Sequence, residues 1–100
     1  MKYTFDAELW RWEARRELWT FLSVPPDESE EITEVAGELR GGFQSVRVDV
    51  TIGSSHWRTS IFAAGTEDGT YWLPIKKKVR EDEGLVLGDT VTATLELVDF

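Results

Sequence analysis

The sequence has no cysteine, one histidine and one methionine among its 100 residues. Without cysteine there is no disulfide, no thiolate zinc site and no cysteine nucleophile. A lone histidine leaves any transition-metal site to carboxylates, and the acids lack the spacing of a calcium loop. No metal and no cofactor is expected. Nothing approaches the roughly 18 apolar residues of a membrane span. The opening "MKYTFDAELWRWEARR" alternates polar and apolar residues without the continuous apolar stretch of a signal peptide. A cytoplasmic location with no membrane partner is therefore expected. Bases are also scarce, 11 Lys and Arg against 19 Asp and Glu, for a formal net charge of −8. Non-specific nucleic-acid binding runs on Lys and Arg displacing counterions, so no nucleic-acid partner is expected. The acidic balance favours solubility and a monomer or weak dimer.

What the chain does have is alternation. In "SVRVDVTI" the residues Val46, Val48, Val50 and Ile52 share one face, and in "TVTATLEL" Val91, Ala93, Leu95 and Leu97 do the same. Both are half-buried strands. The first strand carries Tyr3, Phe5, Ala7 and Leu9 on odd positions, then Trp10 and Trp12 on even ones. That parity change predicts a bulge near Leu9 and Trp10, a device that bends sheets toward closure. "LWTFLSV" is apolar on both faces and predicts a central strand, while "HWRTSIFA" and "GTYWLPI" predict two more joined by the turn-rich "AGTEDG". Helical signals are short. "PPDESEEITEVAG" offers Asp27 or Ser29 as a cap and Gly37 as a stop, and "KKKVREDEG" offers about two turns ending at Gly84. The prediction is one all-β domain over residues 1–100, a small closed six-stranded barrel with two short helices.

Chemistry-bearing motifs are few. His56 with Ser54, Ser55 or Ser60 and Asp49 is the only candidate triad, and no strained nucleophile elbow accompanies it. "RGGF" at 40–43 lacks the ending of a phosphate loop. Five tryptophans in so short a chain are either core or a stacking surface for a ligand. The segment "KKKVREDEG" puts bases before acids along one helix, against the macrodipole and against the better i,i+4 order. Local rules broken without visible gain point toward function. Helical spacing sets Val79 inward beside Ile75 and leaves Lys76 and Lys78 solvated. Arg80 lies next to that seam, able to lay its stem on apolar surface and hold a carboxylate or bound anion with its fork.

"WTFLSVP", "SVRVDVTIG", "WRTSIF", "GTYWLPIKKKVR" and "GLVLGDTV" follow one another in an order and spacing that resembles the bacterial family called domain of unknown function 1905. The closing pattern of Gly69, Tyr71, Leu73, Pro74, a lysine, Arg80, Gly84 and Gly88-Asp89 is its most specific piece. The resemblance implies a closed barrel of the double-split type, similar in architecture to DNA-binding transition regulators and antitoxins but built from one chain. It implies no activity. Trp19, Ser60, Lys77 and Arg80 are the matching positions taken as candidate binding residues, and no catalytic residue is assigned. The acidic "EDEG" departs from the family's usual pattern.

Three functions follow as expectations in descending order. The first is a non-enzymatic binding module for a small ligand or protein partner at an aromatic and basic barrel rim. A DNA-binding transcriptional regulator by fold analogy is second, weakened by the net charge and by three acids that nearly cancel the basic cluster. A hydrolase is third.

Overall fold

The computed structural model describes residues 1–13, 19–36, 45–63 and 69–98. Strands β1 (Lys2–Glu8), β2 (Trp10–Arg11) and β3 (Thr20–Ser23) come first, followed by helix α1 (Pro26–Ala36). Strands β4 (Ser45–Ile52), β5 (Ser55–Phe62) and β6 (Trp72–Ile75) precede helix α2 (Lys77–Glu83), and β7 (Thr90–Leu97) closes the order. All seven strands form one antiparallel sheet in the order β1-β7-β4-β5-β6-β3-β2, curled into a half-barrel. The predicted "AGTEDG" loop, apart from Gly69, the Gly37 stop and "RGGF" lie outside the described residues.

The alternation read from the sequence is the pleat of the sheet. Val46, Val48, Val50 and Ile52 are buried on β4, and β7 answers with Val91, Ala93, Leu95 and Leu97. Register places Val48 opposite Leu97 and Val50 opposite Leu95. Tyr3 and Phe5 of β1, Leu22 of β3, Ile61 of β5 and Leu73 and Ile75 of β6 complete the concave face. Ile32 and Ala36 of α1 and Val79 of α2 pack onto it. Each fully buried Val or Leu contributes roughly 1.5–3 kcal/mol by removal from water. Phe21 is equally buried but belongs to the opposite face, where its ring meets Trp10 at 5.2 Å, Trp72 at 5.6 Å and Phe62 at 6.1 Å. That double burial is why "LWTFLSV" reads as apolar on both sides.

The all-β class with two short helices holds, and two features of the sequence reading are corrected. Among the described residues there are seven strands rather than six, and their sheet is open rather than a closed barrel. Both corrections have one cause at Leu9. Its N–H donates to the Asp89 carbonyl (2.9 Å) and its carbonyl accepts from the Gly88 N–H (2.9 Å). The expected bulge is there, with Gly88 (φ 92) and Asp89 both opposing Leu9, and the strand breaks at it. β1 pairs with β7 before it, and β2 pairs with β3 after it. One segment thus supplies both outer strands of the sheet, joined through the chain and not by a ladder.

Helix α1 also begins differently. Pro26 occupies its first position, where a missing N–H costs nothing. Ser29 is not its cap. The Ser29 hydroxyl accepts from the Tyr71 N–H (3.2 Å) and donates to the Val24 carbonyl (3.0 Å). Val24 N–H donates directly to the Tyr71 carbonyl (2.9 Å). A serine hydroxyl therefore stands in for the return bond of that ladder pair, tying α1 to the junction of β3 and β6.

Candidate functional site

The site begins where a ladder stops. β5 and β6 pair only at Phe62 and Trp72. On its other side β6 pairs fully with β3, Leu22 with Leu73 and Thr20 with Ile75. The bond from Val24 N–H to the Tyr71 carbonyl fixes which way each residue points. Tyr71, Leu73 and Ile75 turn their backbone groups to β3, so Trp72 and Pro74 turn theirs to β5. One antiparallel step beyond the Phe62–Trp72 pair sets Ser60 (62 − 2) opposite Pro74 (72 + 2). Proline has no N–H to give, and the ladder ends there. β6 then runs into α2 while β5 continues to its hairpin.

Between them lies a cleft of about 360 Å³. Trp57, Arg58 and Thr59 line it from β5, Trp19, Thr20 and Phe21 from the β3 side, and Pro74, Ile75 and Lys76 from β6. Lys77 and Arg80 reach it from α2. Among the described residues the lining carries four cations and no carboxylate.

Two of the cations have partners. Arg58 grips Asp49 through both ends of the fork, Nε to Oδ1 at 2.9 Å and Nη2 to Oδ2 at 3.3 Å. That hydrogen bonding, chiefly, holds the Asp49 carboxyl below its ordinary range. The Lys76 ammonium sits 5.9 Å from the centre of the Trp57 ring, a cation–π contact on the cleft wall. Thr20 Oγ1 is committed to the Ile75 carbonyl at 2.7 Å. Arg80 differs. Its side chain is half-buried and its Nε is fully covered without a hydrogen-bond acceptor. A guanidinium cannot shed its proton to relieve that, so the site is short of one acceptor.

Helix α2 is set across the cleft mouth by its acidic end. Glu83 accepts from the Ser55 hydroxyl at 2.7 Å and the Ser54 hydroxyl at 3.1 Å. The Ser55 bond is the main reason its carboxyl lies below the usual range, with Ser54 adding to it. Gly53, at φ 56, makes the hairpin turn beneath, and a side chain there would overlap the Glu83 carboxylate. Asp82 pairs with Lys78 at 3.0 Å. The odd charge order of "KKKVREDEG" thus has a structural purpose. Glu83 at its acidic end holds a hairpin, while Lys76, Lys77 and Arg80 face the cleft.

Of the four candidate residues, the fold brings Trp19, Lys77 and Arg80 together and leaves Ser60 out. On β5 the lining stops at Thr59, and Ser60 lies one residue nearer the Phe62–Trp72 pair that joins the two strands. The expected seam holds, with Val79 and Ile75 each 2% exposed and Lys76 and Lys78 exposed. Trp57, Lys76 and Pro74 also line the cleft and were not among the candidate binding residues. A proline one ladder step past an aromatic pair was the available signal. The groups of the candidate triad are engaged apart. His56 Nδ1 bonds Thr51 Oγ1 at 2.9 Å, Asp49 holds Arg58, and Ser54 and Ser55 hold Glu83. Among the described residues no three His, Asp or Glu side chains gather as a metal site, and no helix is long and apolar enough to cross a membrane.

Fold and site together define a curled antiparallel β domain with a basic, aromatic cleft beside a short clamped helix. The sequence model of the family described as Domain of unknown function (DUF1905) matches residues 5–95, and the chain belongs to that family. A search of curated proteins finds no match.

Proposed function

We propose that this chain is a non-enzymatic binding module whose cleft takes a small anion with a flat apolar body. The observation that carries the reading is the covered, unpartnered Nε of Arg80 in a cleft without carboxylates. A carboxylate presented side-on satisfies the edge of a guanidinium with two parallel bonds, which a lysine cannot imitate. Trp57 and Trp19 offer flat apolar surface for the rest of the ligand, and Trp19 is 41% exposed at the entrance. The module acts as a monomer or weak dimer.

Titration with 2-naphthoate tests this, read by tryptophan fluorescence and thermal shift. Saturation at 100 times the dissociation constant adds about 2.7 kcal/mol of stability. Arg80→Lys removes the charge-assisted fork and is expected to weaken binding roughly ten- to hundredfold. Lys78→Ala, on a residue paired with Asp82 away from the cleft, leaves binding and melting unchanged. Equal affinity in the two variants sinks the proposal.

A further inference from the structure

A second space adjoins the cleft and shares its two α2 cations. It is a groove of about 460 Å³ lined by Lys77, Arg80, Glu81, Gly84, Leu85 and Val86. Positions 77, 80, 81 and 84 form one stripe on α2, so the groove runs down the helix from the cleft mouth. Gly84, at φ 64, ends the helix in the left-handed conformation, and the Leu85 N–H folds back to the Arg80 carbonyl at 2.8 Å. That turn returns Leu85 to the stripe, where it is half-buried, and leaves Val86 63% exposed at the far end. Glu81 is the one carboxylate on this lining among the described residues. It disfavours a second anion, so whatever lies along Leu85 and Val86 carries no negative charge.

Arg80 therefore stands between an aromatic cleft and an aliphatic groove. We infer that the ligand is a branched anion, with a carboxylate at its centre, a flat ring on one arm and an aliphatic chain on the other. The carboxylate meets Arg80 and Lys77. The ring enters toward Trp57, and the chain follows α2 over Leu85 to Val86. N-acylated aromatic amino acids have this connectivity. The inference rests on the cleft reading above and adds the second arm.

The test compares N-acetyl-L-phenylalanine with N-octanoyl-L-phenylalanine by calorimetric titration of the full chain, below the concentration at which the longer probe self-associates. A fully buried methylene strengthens binding about fourfold. In an open groove the longer chain is expected to gain at least tenfold overall. Val86→Ser, at an exposed position, is expected to remove most of that gain while leaving the affinity for N-acetyl-L-phenylalanine unchanged. Octanoate, which has no ring, is expected to bind more weakly than either. Arg80-dependent binding of the acetyl compound without a gain from the longer chain overturns the second arm and leaves the cleft reading standing. A gain that survives Val86→Ser overturns it equally. Concentration-dependent dimerisation abolished by Val86→Ser, with no gain from the chain, assigns the groove to a second copy of the protein and overturns the inference. Failure of all three compounds to bind removes both readings.

Discussion

Replacing Ser29 with alanine removes the hydroxyl that bridges Tyr71 and Val24, at a position only 4% exposed. The Tyr71 N–H loses its acceptor at 3.2 Å, and the Val24 carbonyl loses its donor at 3.0 Å. Leaving one buried donor unpaired costs about 1–3 kcal/mol, and the second lost bond adds about 1 kcal/mol. The hydroxyl takes the place of the second bond of that pair, and Pro26 turns the chain into helix two residues on. The expected loss is therefore about 2–4 kcal/mol, a large share of the stability of a domain this size. Urea unfolding followed by tryptophan fluorescence measures it, with an unchanged slope showing that the unfolded state is unaltered. The melting temperature should fall by roughly 10 °C or more. A loss below about 1 kcal/mol would mean that Tyr71 N–H closes directly on the Val24 carbonyl. The hydroxyl would then be an accessory to the ladder and not a member of it.

Glu83 has its carboxyl held below the ordinary glutamate value of 4.5 by the Ser55 and Ser54 hydrogen bonds. Its contribution is present above that value and lost as pH falls through the lower folded value, so Glu83→Gln should flatten the acid limb of a pH–stability curve. Gly53→Ala forces φ 56 on a side chain that also overlaps the Glu83 carboxylate, and equilibrium unfolding should show a loss of about 1–2 kcal/mol or more. Leu73→Ala empties a fully buried site between β3 and β6, with an expected loss of about 2–5 kcal/mol in the same assay. Gel shifts with duplex DNA at physiological salt should show no complex at submicromolar protein, because a net charge of −8 repels the phosphate backbone.

Much of the fold was legible because strand periodicity is a local property. Val46 to Ile52 and Val91 to Leu97 state their buried faces without reference to anything else. Sheet closure is not local. The parity change at Leu9 and Trp10 was visible as a bulge, but that the strand also changes partner there depended on the 88–89 turn, nearly eighty positions away, claiming the Leu9 backbone. The candidate site divided along the same line. Arg80 could be placed by its offset from Val79 within one helix, whereas Ser60 depended on how far along β5 the cleft reaches. That is set by where β5 and β6 part. Ser29 resembled a helix cap because caps and ladder bridges demand the same small hydroxyl.

The break at Leu9 has a consequence for how the molecule is made. Lys2 sits opposite Glu96, and every residue of β1 awaits a partner in β7. During synthesis the first strand emerges with Tyr3 and Phe5 bare, and no later element before residue 90 can cover them by pairing. The central strands have hairpin neighbours much sooner, since β4 and β5 are joined by a two-residue turn. Contacts that close such long loops come late and slowly, because their entropy is spent before they return any energy. The last hydrogen bonds of this sheet to form are therefore those of its earliest strand. An N-terminal fusion or truncation reaching β1 strikes the completion of the sheet and leaves its nucleation in β4 and β5 untouched.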